Sequence, residues 1–182
     1  ALRKAGLTNV GTRVMDGENL DLDADSFDAV ICQLGLMQFS DPPKALAGMR
    51  RVVRPGGKVA ALVFSAAEKN PYEGIPRTVA HRRGRRMPRV FVLGEHRLLE
   101  DTFRNGGLSR VSVHAVTTHR RFSSSTEAIR KLQDDFHGRA IIELPDTERK
   151  QAWEEVEQQL RRFEGSNGCE LQGELLIGVA TK

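Results

Sequence analysis

The sequence predicts an α/β fold built on a mostly parallel sheet. Two short apolar runs, Phe27–Cys32 and Val59–Phe64, have the length and β-branched content of strands that are buried on both faces. Between them, Leu46, Met49 and Val53 recur at helical spacing. A strand, a helix and a strand in this order form a βαβ unit, in which the two strands are parallel and the crossover is right-handed.

Both ends of the predicted helix carry recognisable signals. Asp41 can cap the first turn, and Pro42 stands at the first helical position, where the missing N–H costs nothing. The sequence Arg54-Pro55-Gly56-Gly57 is expected to end the helix and to redirect the chain into the second strand.

Further elements are predicted on either side of the βαβ unit. Upstream lie a helix end over Ala1–Gly6 and a short strand over Gly11–Asp16. Residues 65–95 are interrupted by Pro71, Pro76 and Pro88 and are expected to form a helical cap insertion with a short helix near Ile75–Arg83. We expect residues 1–182 to form a single domain in which residues 65–95 are inserted as the cap.

The second half of the chain alternates helices and strands. The predicted elements are a helix over Glu95–Asn105, a strand over Arg110–Thr118, a helix behind the capping box Ser124–Glu127, a helix from Pro145, and a closing antiparallel strand over Glu174–Ala180. The helix behind the capping box carries an apolar stripe of Ile129, Leu132 and Phe136. The helix from Pro145 carries a stripe of Trp153, Val156, Leu160 and Phe163. These stripes are expected to lie in the core.

Composition excludes several classes of protein. The chain has 182 residues, 39% of them hydrophobic, with 28 Lys and Arg against 24 Asp and Glu, which fits a globular domain and excludes collagen and low-complexity disorder. No apolar run approaches the roughly 20 residues that span a bilayer. Cys32 and Cys169 have no metal-ligand spacing, and with no signal peptide in the sequence they favour a cytoplasmic protein without a metal.

Common catalytic and phosphate-binding motifs are absent from the sequence. No two glycines stand at G-x-G spacing, so the sequence contains neither a dinucleotide fingerprint nor a phosphate-binding loop. There is no H-E-x-x-H, C-x-x-C or G-x-S-x-G either, and the five histidines are scattered. Spacing alone therefore assembles no catalytic triad and no metal site.

Four blocks in order resemble the second half of a class I S-adenosylmethionine-dependent methyltransferase. They are Asp16-Gly17-Glu18-Asn19-Leu20, Ser26-Phe27-Asp28-Ala29-Val30, Gly35-Leu36-Met37-Gln38-Phe39-Ser40-Asp41-Pro42 and Met49-Arg50-Arg51-Val52-Val53-Arg54-Pro55-Gly56-Gly57. The group they are most similar to is the ubiquinone/menaquinone-biosynthesis type, which methylates small molecules. Asn70-Pro71-Tyr72 and Phe103–Val111 continue the resemblance more weakly.

The resemblance implies a Rossmann-like sheet and a set of cofactor contacts. Family strands run in the order 3-2-1-4-5-7-6, and strands 3, 4, 5, 7 and 6 find counterparts in this sequence. By the resemblance, Asp16 accepts a hydrogen bond from the adenine amino group, Gly17 and Glu18 reach the purine edge, and Gln33 lies beside the methionine part of S-adenosylmethionine. The alternative is that Asp16 is only a turn carboxylate at a strand end.

No catalytic residue is assigned from the sequence. Methyl transfer is an in-line displacement in which placement of the nucleophile supplies much of the catalysis, so a strong base is not obligatory. His81 and His119 are the bases that the predicted positions make worth testing.

Family strands 1 and 2, with the glycine-rich loop and the ribose-binding acid, have no counterpart in the 182 residues. The sequence is therefore expected to represent a truncated methyltransferase with impaired cofactor binding. Its whole form is expected to act on a small-molecule acceptor, and the 182 residues alone are expected to be inactive. The alternative is a non-catalytic interaction module, derived from a methyltransferase, that uses its open sheet edge and its basic segment to hold a partner.

The basic segment His81–Arg89 contains five arginines in nine residues. A solvated surface is the favoured interpretation, and a clamp for an anionic substrate is the second, because guanidinium groups pair well with carboxylate and phosphate. Nucleic-acid binding is the least favoured, since only Phe91 and Tyr72 lie near enough in sequence to stack on bases.

An open strand edge leads to a prediction about assembly. Without family strand 1, the apolar strand Phe27–Cys32 has a free edge, and such an edge pairs readily with another chain. If the 182 residues fold as they stand because another chain covers the gap, we expect a homodimer formed across this edge, which light scattering would report as twice the chain mass. A scattering mass of 20.2 kDa would contradict the expectation.

Overall fold

The computed structural model describes residue 6, residues 8–86 and residues 89–182. The predicted helix end over Ala1–Gly6 lies, apart from Gly6, outside these residues. The described chain forms one mixed sheet, two helices packed on it through one hydrophobic core, and a group of helices gathered around a second core.

The sheet contains five strands, with the order β1-β2-β5-β3 and a two-residue strand, β4, beside β5. Their bounds are Phe27–Gln33 for β1, Val53–Phe64 for β2, Ser109–Phe122 for β3, Glu164–Gly165 for β4 and Gly168–Thr181 for β5. Strands β1 and β2 pair in parallel, and β5 runs antiparallel between β2 and β3. The predicted βαβ unit and the antiparallel closing strand are confirmed. The prediction of a mostly parallel sheet is wrong, because among the described strands β1 and β2 form the one parallel pair and β5 pairs antiparallel with three strands.

The predicted strand over Gly11–Asp16 is wrong. These residues form neither helix nor strand, and the side chain of Val14 is fully exposed. Within the described residues, no strand pairs with this segment. Without a neighbouring strand, its backbone N–H and C=O groups form no inter-strand hydrogen bonds, and they stay solvated.

In the part of the chain that the structure describes, six α-helices connect and cover the strands. They are Pro42–Val52 (α1), Pro71–Arg82 (α2), His96–Asn105 (α3), Ser125–Asp134 (α4), Arg139–Ile142 (α5) and Asp146–Leu160 (α6). Asp41 caps α1 through a hydrogen bond from the Lys44 amide at 3.0 Å, as predicted. Ser124 caps α4 in the same way, accepting from the Glu127 amide at 3.1 Å.

Residues 54–57 do not turn the chain as predicted. They lie inside β2, and the register between β1 and β2 slips in this region, from Phe27 opposite Val53 to Ala29 opposite Lys58. Gly56 has φ +78°, a backbone conformation that favours glycine. A Cβ at Gly57 would stand 2.7 Å from the carbonyl oxygen of Asp28. The two glycines therefore make a bulge that keeps the parallel strands paired.

Two hydrophobic clusters form the interior. The first lies between the sheet and helices α1 and α3, with the fully buried Leu46 and Phe103 at its centre. The second gathers α2, α4, α5 and α6 against the start of β5, around Leu132, Val156 and Leu171. Helix α2 belongs to the second cluster, so the segment after β2 is packed together with the later helices.

Two aromatic residues expected in the core are outside it. Phe136 is 51% exposed because α4 ends at Asp134, so the helical stripe stops before it. Phe163 is 36% exposed because α6 gives way to a 3-10 turn over Arg161–Phe163, which rotates it off the stripe. Trp153 is half-buried against the second cluster, in line with the prediction.

Strand β1 is an edge strand within the described residues, since β2 is the only strand there that pairs with it. Phe27 and Ile31 on this strand are 40% and 70% exposed. No helix in the described part of the chain is long and apolar enough to cross a membrane.

Close packing of β5 on α3 leads to a prediction about stability. A Cβ at Gly178 would stand 2.6 Å from the Phe103 ring. We expect Gly178→Ala to lower the free energy of unfolding by about 1–3 kcal/mol, because the rigid ring has to move. The matched control is Gly165→Ala, whose new methyl group meets no atom within 4 Å. Equal urea midpoints for the two variants would contradict the packing.

Candidate functional site

A cleft of about 200 Å³ opens where β1 and β2 end. Leu34 follows β1 and Phe64 closes β2, so the cleft lies at the carboxyl ends of the two parallel strands, where open α/β sheets bind ligands. Leu171 and Leu175 complete its apolar wall. Its other lining residues are Asn70, Tyr72, Glu73, Thr118, His119, Arg120, Gln172 and Gly173.

The tripeptide Asn70-Pro71-Tyr72 builds one side of this cleft. The buried Asn70 amide donates to the Ala66 carbonyl at 3.0 Å and accepts from the Glu174 amide at 3.0 Å, which joins the end of β2 to β5. Pro71 then begins α2 at a position where helices tolerate proline. The first turn of α2 therefore presents Tyr72 and the residue after it to the cleft.

Glu73 and Arg120 form an ion pair on this side of the cleft. The Arg120 guanidinium donates to Oε1 of Glu73 at 2.8 Å and lies 4.6 Å from the centre of the Tyr72 ring. Glu73 is buried, whereas half of the Arg120 side chain is exposed. Burial raises the pKa of the Glu73 carboxyl, and the charge of Arg120 offsets part of that rise.

A second carboxylate lies behind Tyr72. The Tyr72 hydroxyl donates to Oδ2 of Asp135 at 3.0 Å, and the His137 amide donates to Oδ1 at 2.6 Å. Burial, followed by the charge of Asp135, raises the pKa of Tyr72, so this hydroxyl stays protonated at neutral pH. Burial lowers the pKa of His137, so its imidazole, which lies edge-on to the rings of Phe64 and Tyr72, is neutral.

The two histidines singled out from the sequence lie apart from this network. His119 borders the cleft, but its side chain lies on the face of β3 opposite to that of Arg120, because neighbouring residues of a strand point to opposite faces. On that face its imidazole contacts Glu170 at 2.7 Å. His81 is in the last turn of α2, nine residues and about 13 Å along the helix from Tyr72. Neither is placed as a base for a molecule in the cleft.

The predicted cofactor residues form a turn beside the loop that follows β1. Oδ1 of Asp16 accepts from the Glu18 amide at 2.9 Å, and Oε1 of Glu18 accepts from the Asp41 amide at 2.8 Å. Gly17 lies under the ring of Phe39, so close that a Cβ would stand 2.4 Å from it. Gln33 is the exposed last residue of β1, and no hydrogen bond joins it to the Asp16 turn within the described residues.

The residues of this turn are suited to contact the adenine part of a nucleoside cofactor but not its methionine part. The second oxygen of the exposed Asp16 carboxylate can accept from an amino group, and the turn lies beside the carboxyl end of β1. The Phe39 ring lies directly against Gly17, in the space where a ligand could otherwise approach the Gly17 backbone closely. No residue of the turn supplies the glycine-rich backbone that holds a methionine group.

The basic segment packs α2 against its neighbours. Arg82 and Arg83 both pair with Glu155 of α6, the latter at 2.8 Å, and Arg85 pairs with Glu143 just after α5. These three guanidinium groups therefore already have carboxylate partners, and they lie at the end of α2 that is remote from the cleft. This arrangement favours the interpretation of the basic segment as part of the protein's own surface over the interpretation as a clamp for an anionic substrate.

Comparison of the sequence with protein families gives a match over the first third of the chain. The family model of the methyltransferase domain matches residues 1–61. The chain is 42% identical over 65 residues to the ubiquinone/menaquinone biosynthesis C-methyltransferase of Idiomarina loihiensis, an alignment that covers 35% of this chain and 26% of that protein. A demethylmenaquinone methyltransferase of Deinococcus radiodurans is 43% identical over 67 residues, covering 35% and 27%.

Solved structures extend the likeness to the whole chain. A crystal structure of a proposed methyltransferase from Bacillus halodurans superposes with a TM-score of 0.63 at 18% identity, covering 100% of this chain and 75% of that one. The fold is that of a class I methyltransferase. The YcgJ protein of Bacillus subtilis superposes with a TM-score of 0.60, also at 18% identity and with the same coverage. The resemblance predicted from the sequence is confirmed.

The chain spans about a quarter of the length of the curated methyltransferases it matches. The sequence match ends near residue 61, whereas Tyr72, Glu73, Arg120 and Asp135 all lie beyond it. Apart from Leu34, the residues that line the cleft thus lie in the part of the chain that the family match does not cover.

Sequence reasoning missed Glu73, Arg120, Asp135 and His137. The resemblance at Asn70-Pro71-Tyr72 was the one available signal, since the acidic Glu73 follows it directly. Arg120 carries no local signal, because its contact with Glu73 joins residues 47 positions apart through the register of β3 and β5.

The Glu73–Arg120 pair leads to a prediction about pH. Because the pKa of Glu73 is raised on folding, protonation of Glu73 stabilises the fold; this contribution is present below about pH 4.3 and is lost as the pH rises through the raised value. Arg120→Met removes the offsetting charge. We expect it to lower the free energy of unfolding by about 1–2 kcal/mol at pH 8 and by clearly less at pH 4.5.

The matched control for this prediction is Arg121→Met on the opposite face of β3, where Arg121 pairs with the exposed Glu170 at 3.3 Å. Urea denaturation of both variants at the two pH values makes the comparison. A penalty for Arg120→Met that is the same at both pH values would show that Glu73 does not titrate as described.

Proposed function

We propose that the protein is an S-adenosylmethionine-dependent methyltransferase that acts on a small molecule bound in the cleft. The observation that carries the proposal is the position of the cleft at the carboxyl ends of β1 and β2 in a class I methyltransferase fold. Relatives that are named as quinone-biosynthesis methyltransferases support the same class of reaction.

In this proposal the chain's own residues divide between two ligands. Asp16 contacts the adenine from the turn that it forms with Gly17 and Glu18, and Gln33 lies on the methionine side, while the cleft holds the methyl acceptor. When it is bound, S-adenosylmethionine supplies an electrophilic methyl group on a sulfonium. The walls of the cleft exclude water from the acceptor and orient it toward the carboxyl edge of β1.

The size of the cleft limits the acceptor. About 200 Å³ lies below the roughly 300–1,000 Å³ of pockets that hold drug-sized ligands. Leu34, Phe64, Leu171 and Leu175 make one wall apolar, and Glu73 with Arg120 makes the other polar. We infer an acceptor of one or two rings that carries at least one polar group.

The second candidate function is the interaction module. It is supported by the exposed edge of β1, where Ile31 is 70% exposed. The basic segment adds little to it, because Arg82, Arg83 and Arg85 are paired with carboxylates of the same chain. A homodimer across β1 remains part of this alternative, and nucleic acid is the least favoured partner.

Methyl transfer to a panel of small phenols, quinols and amines tests the proposal, measured on the protein in its whole form because the 182 residues alone are expected to be inactive. We expect radiolabel from the S-adenosylmethionine methyl group to reach at least one acceptor. The matched variants are Leu175→Trp, whose larger side chain narrows the cleft and should abolish transfer, and Gln151→Arg on the exposed face of α6, which should leave it intact. Transfer that survives Leu175→Trp in the folded protein would place the acceptor elsewhere.

Calorimetry tests the cofactor half separately. Because only the Asp16 turn and Gln33 are available as contacts, we expect the 182-residue chain to bind S-adenosylmethionine weakly, with a Kd of about 1 mM or above. Asp16→Asn should weaken the binding further, and Asp21→Asn in the same exposed loop should not. Micromolar binding by this chain would contradict the expectation.

A further inference from the structure

One residue of the cleft, Glu73, differs in chemistry from the other polar residues that line it. Among the described residues that line the cleft, Glu73 is the only carboxylic acid. It is 3% exposed, and its neighbours on the apolar wall are leucine and phenylalanine side chains. A buried carboxylate beside a ligand cleft is a common arrangement of a proton acceptor in an enzyme.

The other titratable groups that border the cleft are poor proton acceptors. The Tyr72 hydroxyl already donates to Asp135 and stays protonated at neutral pH. Arg120 is cationic and has no acceptor atom. His119 directs its imidazole to Glu170 on the opposite face of β3. Glu73 is the group that remains.

The charges around Glu73 indicate the kind of acceptor. Arg120 donates to its carboxylate, and the charge of the buried Arg77 also acts on it. Among the described residues, the Asp135 carboxylate also acts on Glu73, and it is engaged by Tyr72 and by the His137 amide. The guanidinium of Arg120 borders the cleft, so it disfavours an ammonium ion there and stabilises an oxygen that becomes negative.

We propose that Glu73 accepts the proton of a small phenol-type acceptor during methyl transfer, and that Arg120 is a positioning residue that orients the Glu73 carboxylate. The inference rests on the function proposed above. The O–H bond of the acceptor breaks and its proton moves to the carboxylate. The electron pair left on oxygen forms the new bond to the methyl carbon while the carbon–sulfur bond breaks, and the pair of that bond stays on sulfur. Glu73 returns the proton to water when the methyl ether leaves.

Binding of phenol and anisole tests the assignment without any need for turnover. Anisole has the shape of phenol with a methyl group in place of the hydroxyl hydrogen, so it cannot donate to Glu73. We expect NMR titration of the 182-residue chain to show phenol binding about tenfold more tightly than anisole. Glu73→Gln and Glu73→Asp should reduce this preference, the aspartate less than the glutamine.

The matched control is Glu170→Gln, which removes a carboxylate from the opposite face of the same pair of strands. It should keep the full preference for phenol. Thermal unfolding of each variant shows whether it is folded at the titration temperature. A preference that is unchanged in both folded Glu73 variants would overturn the assignment.

The pH profile of methyl transfer separates this inference from the proposed function. With Glu73 as the base, kcat/KM rises as Glu73 loses its proton and then levels off, and Glu73→Gln lowers kcat by about 100-fold or more. Arg120→Met should move the rise to higher pH while KM changes less than kcat. Absence of transfer at every pH would refute the proposed function and would leave the phenol preference to decide the role of Glu73. Transfer with an unchanged profile in Glu73→Gln would refute the inference alone.

Discussion

The amide side chain of Asn70 makes the contact on which the candidate site depends. It joins the turn after β2 to the backbone of β5, at the point where the parallel pair of strands meets the antiparallel one. Because Asn70 is buried, loss of these hydrogen bonds would leave polar groups unsatisfied in the interior. The same contact fixes where α2 begins, and hence where Tyr72 and Glu73 lie relative to β3.

The site is therefore a product of the sheet and of the helices of the second cluster together. Strand β5 supplies Leu171 to both the cleft and that cluster, and β3 brings Arg120 over Tyr72. Alternation along β3 then decides which side chains take part, since Arg120 enters the network and its neighbour His119 does not. A shift of one residue in the pairing of β3 with β5 would exchange them.

Local signals predicted the parts of the fold that local forces determine. The βαβ unit followed from the spacing of apolar residues around Leu46, and the ends of α1 and α4 followed from Asp41 and Ser124. The strand expected at Gly11–Asp16 failed because a strand needs a neighbour, which no local pattern reports. Phe163 failed because the helical stripe does not reveal where a helix gives way to a 3-10 turn.

The candidate site was less predictable than the fold. The resemblance led to Asp16, Gly17, Glu18 and Gln33. The structure places the first three in a turn that is held by local hydrogen bonds and by packing under Phe39. The Glu73–Arg120 pair depends on strand register, and the contact of Tyr72 with Asp135 joins residues 63 positions apart. Contacts of this kind are set by the tertiary fold.

The most direct measurement is the proton NMR spectrum of Arg120 in the wild type and in Asn70→Ala. The guanidinium of Arg120 lies 4.6 Å from the centre of the Tyr72 ring, so its δ protons should show a ring-current shift in the wild type. We predict that Asn70→Ala removes this shift while the resonances of α1 and β1 stay in place. A ring-current shift that persists in Asn70→Ala would contradict the role given to Asn70 in building the cleft.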